Sequence, residues 1–140
     1  MDGELMTTGH SETPLAKKLN LRDGQRVWFS EMPDAVAEEI GEYALDLLFV
    51  ADPAEGIDAA HIFVTQKAEL VTLLSSLRGQ IAGDGQIWVS WPKPPSAVPT
   101  DISEENIREI CLPLGLVDTK ACAVDEIWSG IKLVVRKELR

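Results

Sequence analysis

The residues best equipped for chemistry fall in two short stretches of the chain. Lys93 opens a segment that holds Pro94, Pro95 and Pro99 and ends at Thr100 and Asp101. Further on, Asp125 and Glu126 precede Trp128 and Ser129. A lysine, carboxylates, an aromatic plane, hydroxyls and the N-terminus of a helix gathered in one crevice could hold a small polar or anionic ligand. No accompanying base, nucleophile or metal set is evident, so these residues point to binding rather than catalysis. Each also has a purely structural reading. Asp101 or Ser103 could be a helix N-cap, and Glu104 stands three residues after Asp101 as in a capping box. Asp125 could fix a turn, Trp128 could pack under the prolines, and Lys93 could pair with Asp101 or Asp125.

Other chemical signatures are missing. The two cysteines, Cys111 and Cys122, form no CxxC, and His10 and His61 are isolated, so a metal site is not expected. His61 lies in the apolar run Ala59–Val64 and reads as a satisfied core or edge histidine. There is no Walker loop, G-x-S-x-G elbow or HExxH. Ser129 precedes Gly130 but begins a strand, which is wrong for a hydrolase elbow.

The 140 residues suit one domain, expected over residues 14–140 behind a polar tail at 1–13. The start of the chain has neither a basic head nor an apolar stretch, so no signal peptide is expected. No apolar run approaches the roughly 18 residues of a membrane span. The net charge of −10 argues against nucleic acid as a partner and weakly against anionic partners in general. The short basic clusters at Lys17-Lys18 and Arg136-Lys137 read as solubilising charge. Unpaired cysteines fit a reducing cytosol, so a cytoplasmic location is expected.

The elements that must position the candidate residues follow from periodicity and punctuation. Thr13 and Pro14 can open a short helix carrying Leu15, Ala16 and Leu19. A strand is expected over 25–30, a helix from Pro33 to Ile40, a strand over 43–50 and another over 57–65. Leu70, Val71, Leu74, Leu77 and Ile81 recur at helical spacing and predict a helix over 66–81, ended by Gly83-Asp84-Gly85. Then come a strand over 87–91, a helix over 103–112, and strands over 117–124 and 127–136. The alternation predicts a mostly parallel sheet with helices on both faces. The last two strands are joined too tightly to be parallel, so the sheet ends in an antiparallel hairpin.

The stretches LAKKLNLRDGQRVWF, HIFVTQKAEL, IWVSWPK, TDI…IREI and AVDEIWSGIKLVVRK resemble a family of short bacterial proteins of unknown function. The likeness covers roughly residues 14–136, and its most specific pieces are Trp91-Pro92-Lys93, Thr100-Asp101 and Val124–Ser129. It implies an α/β, three-layer Rossmann-like fold of the class I methyltransferase type, shortened by one helix–strand unit after the second strand. The implied six-stranded order is 2-1-3-4-6-5. The resemblance brings no assigned activity.

S-adenosylmethionine enzymes of this fold place a glycine-rich turn after the first strand, where the backbone must approach the ligand. Here that turn is Ser30-Glu31-Met32-Pro33-Asp34, with no glycine between Gly24 and Gly41. Standard S-adenosylmethionine binding, and NAD binding with it, is therefore not expected. Asp52 ends the second strand, where such folds hold a ribose-binding carboxylate, although Asp52-Pro53 is also ordinary turn chemistry. The leading expectation is a non-catalytic, methyltransferase-like module that binds a small ligand or a protein partner. An atypical S-adenosylmethionine-dependent methyltransferase and a structural homodimer are the alternatives.

Overall fold

The computed structural model describes residues 13–140. The tail expected at 1–13, and His10 in it, lie outside the described residues except for Thr13. The described chain runs α1 (Leu15–Lys18), β1 (Arg26–Ser30), α2 (Asp34–Gly41), β2 (Leu48–Phe49), β3 (Ile57–Phe63), α3 (Lys67–Arg78), β4 (Ile81–Pro92), α4 (Glu104–Cys111), β5 (Leu116–Ala123) and β6 (Trp128–Val135). These strands form one sheet in the order β2-β1-β3-β4-β6-β5. β1, β2, β3 and β4 are mutually parallel. β6 runs antiparallel between β4 and β5. The predicted order and the final hairpin are both present.

The two faces are covered differently. On one face Leu70, Leu74 and Leu77 of α3, with Ile107 and Cys111 of α4, close over Ile62, Val89, Ile131 and Leu133. Burying each large side chain of this set contributes about 1.5–3 kcal/mol. On the other face the four-residue α1 and the eight-residue α2 supply Leu15, Ala16, Val36 and Ile40 over Val27, Ala59, Phe63 and Trp88. A helix as short as α1 has no stability of its own. It is anchored just past its end, where the carbonyl of Leu19 accepts the Gln86 side-chain amide at 2.7 Å and the Trp88 indole N–H at 2.9 Å.

That second face also buries polar groups. His61 Nε2 and Ser90 Oγ share a hydrogen bond of 2.7 Å, and both residues are inaccessible to solvent. The imidazole stacks on Phe63 at 4.5 Å and meets Phe29 edge-on at 6.4 Å. Burial pushes its pKa down to about 3, so it is neutral at any ordinary pH. Gly130 faces this group from β6. A Cβ there would lie 2.9 Å from Val124 Cγ2 and 3.3 Å from Trp88 Cε3, so a side chain at this position would displace Val124 and press on the indole.

Four boundaries differ from the sequence expectation, each for a local reason. α1 begins at Leu15, with Pro14 rather than Thr13 in the N-cap position. The strand expected over 43–50 shrinks to Leu48–Phe49. α2 runs on to Gly41 and Ala44 turns the chain at φ +55°, so the alternating Leu45 and Leu47 pack inward before any pairing starts. The helix expected over 66–81 stops at Arg78, capped by Gly79. Ile81 is the first residue of β4, and the Gly83-Asp84-Gly85 expected to end the helix lies within that strand. Ile81 is opposite Ile57 and Gln86 opposite Ala59, so the extra residues bulge out of the ladder. Gly85 sits at the pinch, where a Cβ would fall 2.7 Å from the Asp58 carbonyl. Of the two N-caps that the sequence offers for α4, Ser103 is the one used. Its hydroxyl accepts the Asn106 N–H while the Asn106 side chain accepts the Ser103 N–H.

Among the described residues no helix is long and apolar enough to cross a membrane.

Candidate functional site

The parallel strands deliver their C-terminal ends to one edge of the sheet, which is where open α/β proteins hold ligands. There the turn between β5 and β6 faces the segments after β1 and β4. A cavity of about 570 Å³ opens between them, bounded by Lys18, Glu39, Lys93, Asp125, Glu126 and Ile127. It is built from α1, α2, the exit of β4 and the final hairpin. Its wall mixes two ammonium groups with three carboxylates, and an apolar floor comes from Ala35 and Val124.

Of the residues singled out in the sequence, Lys93, Asp125 and Glu126 line this cavity. Lys93 is half-buried, and its backbone N–H is fixed to the Ile127 carbonyl at 2.8 Å. Among the described residues its ammonium pairs with neither Asp101 nor Asp125. The following prolines make a 3-10 turn, Pro94–Ser96, whose Ser96 hydroxyl donates to the Lys93 carbonyl at 2.7 Å. The backbone of Lys93 is thereby held from both sides while its side chain is left to the cavity.

Asp125 holds the hairpin. One carboxylate oxygen accepts the N–H groups of Ile127 and Trp128, each at 2.8 Å. The other oxygen carries no such duty. Asp125→Ala is expected to cost about 1–2 kcal/mol, the range for losing a capping carboxylate with two backbone donors, read by urea unfolding. Asp125→Asn, which keeps an acceptor, should recover most of that loss.

The remaining candidates lie outside the cavity. The Thr100 hydroxyl donates to the Thr65 carbonyl at 2.7 Å, and Asp101 accepts the Lys67 N–H at 2.6 Å. Asp101 therefore caps α3 across the sheet edge. Together the two residues tie the loop after β4 to the loop after β3. Trp128 meets Phe63 edge-on at 5.1 Å, and Ser129 sits in the ladder opposite Trp91 and Ala123. Asp52 caps the 3-10 turn Pro53–Glu55, accepting the Ala54 N–H at 2.9 Å.

Lys18 and Glu39 also reach the cavity, although neither stood out in the sequence. Lys18 extends toward the end of β5, donating to the Ala123 carbonyl at 3.4 Å. The adjacent pair Lys17-Lys18 was the available signal, and only the docking of α1 separates the two lysines to different sides.

The turn after β1 has an unusual backbone. Glu31 adopts φ +57°, a left-handed conformation that glycine takes without strain and a glutamate does not. Pro33 sits at the N-cap of α2 and lacks an N–H, and Asp34 adds a carboxylate to the first turn. The turn therefore presents side chains and negative charge where a cofactor-binding loop presents bare backbone and donors.

Neither cysteine is activated. Burial, with Asp118 second, pushes the Cys111 thiol up to about 11, and burial also raises Cys122. Both thiols are free, and among the described residues no group of three or more metal-ligating side chains comes together.

Comparison with known proteins places these features. A family model described as a protein of unknown function (DUF3052) matches residues 16–137. No curated protein matches the chain. Among solved structures, an S-adenosylmethionine-dependent methyltransferase from Aquifex aeolicus is similar with a TM-score of 0.60 at 15% identity, over 86% of this chain and 88% of that one. Magnesium protoporphyrin IX methyltransferase from Synechocystis PCC 6803, with bound S-adenosylhomocysteine, gives 0.56 at 14% identity over 86% and 78%. Aeropyrum pernix fibrillarin, with natively bound S-adenosylmethionine, gives 0.51 at 14% identity over 90% and 70%. At these identities the likeness establishes a methyltransferase-like fold.

Proposed function

Since the chain belongs to the DUF3052 family of proteins of unknown function, we propose that it is a non-catalytic binding module on a methyltransferase-like fold, taking a small polar ligand in the cavity at the C-terminal edge of the sheet. The observation that carries this reading is the turn after β1. Glu31 holds a left-handed backbone without the bare Cα that makes such a turn useful, and Pro33 removes a donor from the helix start. The residues present there do not fit the methionine end or the ribose of S-adenosylmethionine. Asp52, at the strand end where such folds hold a ribose-binding carboxylate, accepts a turn N–H instead.

The ligand chemistry follows from the wall. Lys93 and Lys18 supply positive charge, and Asp125, Glu126 and Glu39 supply negative charge, around a volume suited to a small molecule. Mixed charge at close quarters favours a zwitterionic or polar ligand over a simple anion. The prolines after Lys93 lower the entropy cost of keeping that rim in one shape.

Isothermal titration calorimetry with S-adenosylmethionine and S-adenosylhomocysteine is the deciding experiment, and no binding heat is expected with either. Micromolar binding would instead support the second reading, a methyltransferase with an atypical cofactor site, whose fold the structural neighbours share. Lys93→Ala is expected to leave stability within about 0.5 kcal/mol of wild type, because its ammonium makes no ion pair among the described residues. A thermal-shift panel of free amino acids, nucleotides and NAD on wild type and Lys93→Ala then identifies ligands that need this lysine. A structural homodimer has a narrower basis, the exposed Leu48 and Phe49 on the edge strand β2, and light scattering tests it.

A further inference from the structure

A second cavity, of about 630 Å³, lies at the opposite end of the sheet, where the N-terminal ends of the parallel strands meet the end of β6. Its charged lining is Lys17, Arg22 and Lys132 with Asp23 and Asp84, and Asn20 and Gln86 add amides. We infer that this cavity binds a small organic anion, one carrying a phosphate or carboxylate group, between Lys17, Arg22 and Lys132.

The argument begins with where the positive charge goes. The chain carries a net charge of −10, yet Lys17 and Arg22, close together in sequence, meet Lys132 from the far end of the described chain on one concave surface. Lys132 is half-buried on β6, and its ammonium donates to Asn20 Oδ1 at 3.2 Å. No carboxylate neutralises it among the described residues. Burial, then the charges of Lys120 and Arg22, hold its pKa below the ordinary lysine value. Three cations against the carboxylates of Asp23 and Asp84 leave the wall with a positive excess, and an anion placed among these groups would relieve the repulsion on Lys132.

The nearby carboxylates do not fill that role. Asp23, at the rim, accepts the Asp46 N–H at 2.8 Å. Asp58 is paired with Arg26 at 3.4 Å and bonded to the Arg26 backbone N–H at 2.8 Å. Asp84, exposed on the bulge of β4, lines the cavity and forms no ion pair with Lys132. The floor is suited to a polar ligand, because Gln86 is buried and its amide is fixed to the Leu19 carbonyl. Asn20 stands beside it with φ +58°, its side chain turned to Lys132. A bare inorganic ion would leave most of this volume empty, so the anionic group is expected on a larger polar body.

The site is independent of the cavity at Lys93, and the test separates the two. The purified chain is titrated calorimetrically with inorganic phosphate, glucose 6-phosphate and citrate at low ionic strength. At least one organic anion should bind more tightly than inorganic phosphate, and added salt should weaken it. The phosphate and citrate arms distinguish a phosphate-bearing from a carboxylate-bearing ligand. Lys132→Met, which keeps the buried stem, and Arg22→Gln, at an exposed position, should each weaken binding about ten-fold or more. Lys93→Ala should leave it unchanged. The inference is overturned by a lack of binding for all three probes at millimolar concentration. Unaltered affinity in both cation variants, or loss of binding in Lys93→Ala alone, would overturn it as well.

Discussion

Lowering the pH from 7 to 4.5 is expected to remove about 2.5 kcal/mol of stability through His61 alone. Burial holds the folded imidazole neutral down to a pKa of about 3, whereas in the unfolded chain it titrates near its ordinary value of 6.5. The sign follows directly. The unfolded state takes up a proton below pH 6.5 and the folded state does not, so stability is complete above that value. It falls through the window from 6.5 to about 3 and levels off below it. Asp58, whose pKa is held down first by the Arg26 backbone N–H, adds a loss of the same sign at lower pH. The measurement is urea unfolding at pH 7 and 4.5 for wild type and His61→Gln. The variant will be less stable at pH 7, because Ser90 Oγ loses its imidazole partner. Its further loss on acidification should nevertheless be smaller than that of wild type by about 2.5 kcal/mol. Equal acid losses in the two proteins would show that His61 is protonated in the fold and that its cavity is wetter than described.

Trp88→Ala is the other large effect, at about 4 kcal/mol. The indole is 1% exposed and lies at the centre of the face covered by α1 and α2. Its removal leaves a cavity under a helix too short to collapse into it. It also takes away one of the two donors that hold the Leu19 carbonyl. Trp88→Phe keeps most of the volume and loses only the N–H, so it should cost about 1–2 kcal/mol, with Gln86 still in place. Hydrogen exchange adds a spatial readout. In Trp88→Ala the amides of Leu19 and Leu21, bonded to the carbonyls of Leu15 and Ala16, should lose protection before those of α3. A cost below about 2 kcal/mol for the alanine variant would mean that α1 contributes little to the domain.

Much of the architecture was legible because it depends on local spacing. The stripe of Leu70, Leu74 and Leu77 marks α3, and the shortness of the link through Asp125 and Glu126 forces β5 and β6 to be antiparallel. The extent of β2 was not legible. Leu45, Leu47 and Phe49 alternate as a strand should, yet pairing begins only at Leu48, because Ala44 must first turn the chain. The bulge in β4 was hidden for the opposite reason, since Gly83-Asp84-Gly85 carries turn chemistry and is held in the strand by its neighbours.

The candidate sites were less legible, because their partners lie far apart in sequence. Lys93 and Asp125 were placed at the same sheet edge by topology, and the cavity does join them. Asp101 looked like a cap for the helix that follows it. It caps α3, 34 residues earlier, because the two crossover loops lie side by side. His61 and Ser90 meet through adjacent strands, and Lys17, Arg22 and Lys132 through the docking of α1. No periodicity in the chain announces either meeting.

The insertion of β6 between β4 and β5 also sets the order in which the sheet can be completed during synthesis. β5 leaves the ribosome before β6 but pairs with nothing except β6. Until β6 has emerged, β4 keeps an open, apolar edge and β5 has no place in the sheet. A nascent chain that stops before β6 therefore leaves the β4 edge open to other chains and β5 without a partner strand.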